Sequence, residues 1–491
     1  MFVRAGTVLL ATAALAAAAT DPVAVILDQA RGTPPEIFAD VVFRLLDAGK
    51  IPDNDRVALL DEVFLRADQA REPIFTFPAA IPPPYPTRRV DHHLSALHIK
   101  CRVVQALLTF DGKHARQRFS EIARPQIPKP DCKESVLQDP TIYFDTLSAV
   151  VTKAPFTPEE QKKQVPFWMI VDAVRNIGTS IEIIAAARNL SQLVHSENEA
   201  LTMSSAFATA LSIDDSDRNF TAAVGKSNLV DAVLMLGDRF GRFGVPPQNV
   251  LAALRTCLVR HLTASRCEDS IDTTDALALF DAKIAGQTAV LPISDDEATP
   301  ARREGKADTT KAPDQGDFGQ LANEIQSLYF KDPAAIFAGQ AVRFEDFKEP
   351  DPAATEKELP KLRDWKGSPG QDPVWVFQRK VSLYYGLWPQ MARAPADDGL
   401  LPTILADLIA IFSDAAILDA SPADWLIEVE KLELRVVRPV PNRPGYANMV
   451  VPPRDIAQAM IASGFPALSV YGRLKALQNP PPTSVPADRL F

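Results

Sequence analysis

Apolar residues recur along most of this chain with the period of an α-helix, and this pattern constrains the fold more than any other feature. One stripe runs from Ile37 to Leu46 and ends at Gly49, and comparable stripes cover 229–240 and 250–262. Apolar side chains three and four residues apart share one helical face, which is stabilised when it is buried against another element. The sequence therefore predicts helices that pack on one another.

Three short sequences have the composition of a helix start. In Thr33–Glu36, Thr157–Glu160 and Ser421–Asp424, a hydroxyl residue is followed by proline and then by an acidic side chain. The hydroxyl caps a free backbone N–H, proline fits the first helical turn, and the carboxylate interacts favourably with the helix dipole. We expect helices to begin directly after Thr33, Thr157 and Ser421.

The chain contains 42 prolines but only 21 glycines, a balance typical of helices joined by short, proline-marked connections. No series of alternating strands is present, and the best candidate strand, Leu434–Val440, is short. We therefore predict an all-α fold in which helical hairpins form a solenoid-like or α/α superhelical array. The named helical repeat families are not supported, because no fixed period emerges.

One stretch interrupts the helical pattern. Residues 286–316 lack aromatic side chains and carry many charges of both signs, and such a composition buries too little apolar surface to fold alone. We expect a flexible linker there, which divides an N-terminal helical region (21–285) from a C-terminal one (317–478). The Pro-rich tail, 479–491, is expected to be extended.

Residues 1–20 have the features of a secretory signal peptide. Arg4 precedes an apolar run from Thr7 to Ala19, and the small residues at 16–19 suit signal peptidase. The run is too short to cross a bilayer as a helix. We therefore expect an exported protein, in the periplasm or outside the cell, without a transmembrane anchor.

The formal net charge of the chain is −10, which repels the phosphate backbone of nucleic acid. No run of five or more Lys or Arg residues offsets this charge. We therefore expect no nucleic acid ligand, and the expected partner is another protein or a component of the cell envelope. The sequence leaves the oligomeric state open.

The chain has four cysteines, Cys101, Cys132, Cys257 and Cys267. An even number of cysteines in an exported chain favours disulfides. Cys101 and Cys257 lie on apolar helical stripes, and each is followed by a cysteine in a polar segment. We predict the local pairs Cys101–Cys132 and Cys257–Cys267, with buried free thiols as the alternative. A zinc site built from cysteines is not expected, because no C-x₂-C pair is present.

The segments around two of these cysteines resemble each other. Cys132–Val136 (CKESV) is similar to Cys267–Ile271 (CEDSI), and a Phe-Asp pair follows each of them, at Phe144 and at Phe280. The flanking helices do not align, so an internal duplication is the less favoured explanation.

Several histidines are concentrated between Asp91 and His98. On a helix, Asp91, His98 and Cys101 would share one face, which makes a metal site conceivable. We favour a helix start with solvated histidines and one histidine packed against the core, since His92 and His93 point in other directions. We therefore expect neither a metal ion nor a cofactor.

The most distinctive apolar surface is an aromatic stripe on one predicted helix. Its Tyr and Trp side chains could form a platform on which sugars or peptides stack. The same spacing is that of the core face of a long helix, which is the interpretation we favour. The stripe consists of Val374, Phe377, Val381, Tyr384, Tyr385 and Trp388, with Trp375 beside it.

The common hydrolase signatures G-x-S-x-G, S-x-x-K and H-E-x-x-H are absent from the sequence. Our leading hypothesis is an exported helical scaffold or protein-binding module without an identifiable catalytic motif. The alternative is an exported α/α-type enzyme that acts on polysaccharide, as a lyase or a glycoside hydrolase. Its candidate contributors are Tyr446, His92 and acidic residues near the aromatic helix. A groove lined by two carboxylates and aromatic side chains would favour the enzyme.

Overall fold

The structure of the chain is a computed structural model in which helices predominate. Over the residues that it describes, nearly every regular element is an α-helix, which confirms the predicted all-α class. The arrangement of these helices into a repeating array stays a prediction. The described residues are 21–71, 76–78, 93–134, 136–225, 228–268, 270, 274–285, 290–294, 296–305, 317–328, 330–332, 348, 351–391, 400–434 and 453–478.

The helices that precede residue 285 form the N-terminal part of the fold. They are α1 (Pro22–Arg31), α2 (Pro35–Asp47), α3 (Asp53–Arg66), α4 (Ala96–Leu107), α5 (Gly112–Ser120), α6 (Thr141–Lys153), α7 (Pro158–Lys162), α8 (Val165–Arg175), α9 (Ser180–Leu190), α10 (Glu197–Ala210), α11 (Asp217–Val224), α12 (Asn228–Gly241), α13 (Gln248–Thr263) and α14 (Thr274–Ile284). Their apolar stripes meet one another, as in the pairs α4–α6, α9–α12 and α10–α13.

The C-terminal part is built in the same way. Its helices are α15 (Phe318–Ser327), α16 (Pro352–Asp364), α17 (Pro373–Met391), α18 (Leu400–Phe412), α19 (Ala415–Ala420), α20 (Pro422–Leu434), α21 (Pro453–Ala462) and α22 (Pro466–Gln478). α17 packs on α18, α19 and α20, and α18 also contacts α16 and α21. Buried side chains of both parts belong to one contiguous hydrophobic core.

The two ends of the described chain meet. α22 packs on α1 and α2, and α20 also contacts α2. The Tyr471 hydroxyl donates to Asp40 Oδ2 at 2.7 Å, and Arg44 Nε donates to the same oxygen at 2.6 Å. Arg44 also pairs with Glu430. The predicted N- and C-terminal regions are therefore in contact, and their separate folding stays a prediction.

Part of the predicted flexible linker is packed against the N-terminal region. Val290 and Ile293 are buried, with 3% and 8% of their surface exposed. Arg255, on α13, donates to backbone carbonyls of this segment and pairs with Glu297 at 2.9 Å. Two apolar side chains and an ion pair therefore connect the described residues between 290 and 305 to the N-terminal region, and the flexibility of the segment stays a prediction.

Two short strand pairs accompany the helices in the described residues. β1 (Thr76–Pro78) runs antiparallel to β2 (Val136–Gln138), and β3 (Arg266–Cys267) runs parallel to β4 (Arg303–Glu304). β3 directly follows α13, whereas β4 belongs to the predicted linker. The second pair therefore adds backbone hydrogen bonds to the contacts that hold this segment.

The predicted helix starts at Thr157 and Ser421 are confirmed. Thr157 and Glu160 form a reciprocal capping box, in which Glu160 N donates to Thr157 Oγ1 at 3.2 Å and Thr157 N donates to Glu160 Oε2 at 2.8 Å. At the start of α20, Asp424 N donates to Ser421 Oγ at 3.4 Å. In both cases the hydroxyl satisfies a backbone donor that the helix itself leaves free.

The predicted start at Thr33 is wrong by one residue. The residue that precedes α2 is Pro34, which offers no side-chain cap. The Thr33 hydroxyl donates instead to the carbonyl oxygen of Ala30, at the end of α1, at 2.7 Å. Because the connection between the two helices is short, Thr33 satisfies the carbonyl end of the first rather than the N–H end of the second.

The disulfide in the described part of the chain joins Cys132 to Cys267, with a Cα–Cα distance of 5.4 Å. Cys101 and Cys257 are buried free thiols. The predicted pairs Cys101–Cys132 and Cys257–Cys267 are therefore wrong. Cys101 lies within α4 and Cys257 within α13, where both side chains face the helical core with no exposed surface.

The N-terminus of α11 holds the two disulfide segments. Arg218 donates to the carbonyl oxygen of Cys132, and Cys267 N donates to Asp217 Oδ2 at 3.0 Å. Asp217 also pairs with Arg266 at 3.1 Å, with both side chains largely buried. Cys132 and Cys267, which begin the two segments that resemble each other in sequence, therefore lie side by side in the fold.

Several predicted features lie outside the described residues. They are the signal peptide 1–20, the linker ends 286–289 and 306–316, the tail 479–491, and the candidate strand Leu434–Val440 apart from Leu434, which ends α20. In the part of the chain that the structure describes, no helix combines the length and the apolar character that a bilayer span requires.

Candidate functional site

α17 carries the aromatic stripe, and the structure places the described members of that stripe in the core. The buried members are Val374, Phe377, Val381, Tyr384 and Tyr385. The core interpretation is confirmed for these residues, and a stacking platform made of them is excluded by their burial. The side chain of Trp388 lies outside the described part.

Both buried tyrosines have hydrogen-bond partners. The Tyr384 hydroxyl donates to Asp407 Oδ2 at 2.9 Å, and the Tyr385 hydroxyl donates to the carbonyl oxygen of Glu428. Burial raises the pKa of Tyr384, and the neighbouring Asp407 carboxylate adds to this shift. These bonds fix the position of α17 against α18 and α20. The cavity described next is lined in part by residues of α17.

A cavity of about 390 Å³ lies where the first half of α17 meets the end of α16, the loop between these helices, and the adjoining parts of α18 and α19. Its volume is within the range of small-molecule sites. Apolar side chains form one part of its wall and charged side chains another. We call it the Lys380 cavity.

Large apolar side chains give the cavity a preformed wall. Trp365 packs against Phe318, with 5.1 Å between ring centroids, and its Nε1 donates to Asp317 Oδ1 at 2.9 Å. Phe377 packs edge-on against Phe412 at 5.9 Å. Because each ring is held by a neighbour, the wall keeps its shape without a ligand. The apolar lining includes Trp365, Val376, Phe377, Ile411 and Ile417.

The charged part of the wall is dominated by cations. Arg363 is already paired with Asp364 at 2.9 Å. Lys380 Nζ donates to the carbonyl oxygen of Arg363 at 2.7 Å, which uses one of its three N–H donors. Lys366 and Lys380 form no ion pair with a residue in the described ranges. The charged lining residues are Arg363, Lys366, Lys380 and Asp414.

The electrostatics of Lys380 follow from this setting. Burial lowers the pKa of its ammonium group, Asp364 and Asp414 oppose the shift, and Lys366 adds to it. A partly desolvated ammonium group without an ion-pair partner is unfavourable. An anion in the cavity would supply the missing partner and stabilise the charged form.

The loop between α16 and α17 depends on Gly367. Its φ of +78° is in the left-handed region, and a Cβ here would lie 2.5 Å from Val376 Cγ2, so a side chain does not fit. Gln371 closes the loop by accepting from Ser368 N at 2.8 Å. This compact loop conformation places Lys366 on the cavity wall, next to Trp365.

The residues that the sequence singled out for chemistry do not meet at this cavity. His98 Nδ1 lies 2.9 Å from the hydroxyl of the serine that caps α4, and Cys101 is a buried thiol. Asp91, His92 and Tyr446 lie outside the described residues. Within the described ranges, no group of three His, Cys, Asp or Glu side chains is placed to hold a metal ion.

Sequence reasoning missed the cationic residues of the cavity because no local pattern unites them. Lys366 lies in a turn between helices, and Lys380 lies beside the aromatic stripe without belonging to it. Asp414 caps a later helix, where its Oδ1 accepts from Ala416 N at 2.9 Å. Only tertiary packing brings these side chains to one wall.

The lining of the cavity decides its chemistry. Three cationic side chains, one carboxylate and an aromatic wall can hold an anion and cover an apolar body. Hydrolysis of a glycosidic bond usually uses two carboxylates, and the described lining supplies one. No known protein family, no curated protein and no solved structure matches this chain.

Proposed function

We propose that this chain is an exported helical binding protein and that the Lys380 cavity is its ligand site. Export is supported by the signal-peptide features of residues 1–20. The Cys132–Cys267 disulfide also supports it, because such bonds persist in oxidising compartments. We expect the partner that carries the ligand to be another protein or a component of the cell envelope.

The composition of the cavity wall carries this proposal. Asp414 is the only carboxylate among the described lining residues, and it already caps α19 through Ala416 N. A glycoside hydrolase usually places two carboxylates on opposite sides of the scissile bond. The glycoside hydrolase is therefore the less supported alternative, and non-covalent binding is favoured.

A thermal-shift screen with a cavity-filling variant tests the proposal. We expect some small organic compounds to raise the melting temperature of the mature protein, because a ligand that binds only the folded state stabilises it. Ala410 is an exposed residue of the cavity wall, so Ala410→Phe fills the cavity without entering the core and should abolish the shift. The control is Ala406→Phe, an exposed position on α18 that does not line the cavity.

Three results would contradict the proposal. A compound that stabilises the wild type and Ala410→Phe equally would bind elsewhere. Cleavage of a polysaccharide by the purified mature protein would show catalysis instead of binding. Retention of residues 1–20 in a host that exports proteins would contradict the expected localisation.

A further inference from the structure

We infer that the Lys380 cavity binds a small organic anion, in which a carboxylate or phosphate group is joined to an apolar aromatic or aliphatic body. This inference rests on the proposed function and names the ligand class of the same site. The observation behind it is the juxtaposition of a preformed apolar wall with two lysines that have no ion-pair partner among the described residues.

The charges of the wall favour an anion over a cation. Arg363 is neutralised by Asp364, whereas Lys366 and Lys380 have no ion-pair partner among the described residues. Within the described residues, Lys380 Nζ has one hydrogen bond, to the carbonyl of Arg363 at 2.7 Å, and keeps two donors for a ligand. The single lining carboxylate, Asp414, is committed to a helix cap and faces the positive field of Lys380. Charge-assisted hydrogen bonds from both lysines would therefore hold an acidic group.

The apolar wall favours a ligand with more than an acidic group. The apolar part of the lining includes Trp365 and Phe377, whose rings are held in place by their neighbours Phe318 and Phe412. A free phosphate ion would leave this surface and most of the 390 Å³ volume unfilled. A planar or aliphatic body attached to the anion removes apolar surface from water, which adds to the affinity.

Four ligands that share one aromatic body separate the contributions of charge and shape. The probes are 1-naphthyl phosphate, 1-naphthoate, neutral 1-naphthol and 1-naphthylmethylammonium, titrated into the mature wild-type protein by calorimetry. We expect both anions to bind at least about 10-fold more tightly than 1-naphthol, in line with charge-assisted hydrogen bonds. The cation should bind most weakly. Comparison of the two anions distinguishes a phosphate site from a carboxylate site.

Single lysine substitutions assign the effect to the cavity. Lys366→Gln and Lys380→Gln should each weaken binding of the anions by about 10-fold and leave the affinity for 1-naphthol within about 2-fold. Lys361→Gln is the matched control, because Lys361 lies on α16, pairs with Glu358 and does not line the cavity. Raising the salt concentration should weaken binding of the two anions and leave the affinity for 1-naphthol unchanged.

The failure of this inference can be told apart from the failure of the proposed function. If 1-naphthol or the cation binds as tightly as the anions, and Ala410→Phe abolishes that binding, the cavity is a ligand site but the anion inference is wrong. Unchanged anion affinity in both Lys366→Gln and Lys380→Gln would also overturn it. If no probe and no screened compound binds the wild type, both the inference and the proposed function are contradicted.

Discussion

Cys101 and Cys257 differ from the other two cysteines in lying in the core with no exposed surface. Burial raises the pKa of each thiol to about 12. The thiolate is the reactive form of cysteine, so both side chains are inert at neutral pH in the folded protein. At the scale of single residues, burial decides which groups can react.

Thiol titration with an aromatic disulfide reagent checks this account. We expect no reactive thiol in the native protein, two in the denatured protein without reductant, and four after reduction of the disulfide. Mass mapping of the unreduced protein should join Cys132 to Cys267. Four thiols in the denatured, unreduced protein, or a peptide that links Cys101 to Cys132, would contradict the pairing.

His261 is a buried group whose protonation should couple to stability. Its ring stacks on Phe220, with 4.5 Å between centroids, and its Nε2 has no hydrogen-bond partner in the described structure. Burial lowers the pKa of His261, Arg260 adds to the shift, and Asp215 with two further aspartates opposes it. The folded state therefore resists a proton that the unfolded chain accepts below about pH 6.5.

A variant at His261 isolates this coupling. The contribution of His261 to stability is constant above about pH 6.5 and falls as the pH drops below it, because the unfolded state then binds more protons. We expect the free energy of unfolding of the wild type, measured against that of His261→Leu, to decline between about pH 7 and pH 5. A difference between the two proteins that stays constant over this range would contradict the assignment.

At the scale of elements, α11 and the disulfide form one unit. Asp217 and Arg218 hold the backbone of Cys267 and Cys132, and the disulfide spans a sequence separation of 135 residues. Closing so long a loop removes chain entropy from the unfolded state. The pair β3–β4 and the Arg255–Glu297 contact extend the same junction to the segment that the sequence predicted as a linker.

Removal of the disulfide tests the strength of this unit. The double variant Cys132→Ser, Cys267→Ser should lose about 3–5 kcal/mol of unfolding free energy, measured by chemical denaturation. Reductant should destabilise the wild type by a similar amount and leave the double variant unchanged, which serves as the internal control. Equal stability of the two proteins without reductant would show that the bond does not constrain the unfolded chain.

The sequence predicts elements better than it predicts contacts between them. Helix starts at Thr157 and Ser421 and the buried face of α17 follow from local patterns, and the structure confirms them. Disulfide pairing depends on which segments become neighbours in the fold. Pairing each cysteine with the next one in sequence therefore predicts the wrong partners. Lys366 and Lys380 reach one cavity only through the packing of α16, α17 and α18. No local sequence pattern predicts that these two lysines lie at the same cavity.

At the scale of the whole molecule, the cavity is connected to the common core. α18 contributes to the cavity wall and packs on α21, which packs on α22, and α22 contacts α1 and α2. The Tyr471–Asp40 hydrogen bond of 2.7 Å fixes the last of these contacts. The proposed ligand site therefore lies in a frame to which both ends of the described chain contribute.

Hydrogen–deuterium exchange with and without 1-naphthyl phosphate tests the central claim most directly, because it locates binding without any substitution. With the probe at saturation, we expect slower exchange in peptides that cover 365–380 and 410–417, which form the Lys380 cavity. Peptides from α4 and α13, which contribute no lining residue, should be unchanged. Unaltered exchange in both cavity segments at saturation, or protection confined to other parts of the chain, would contradict the account.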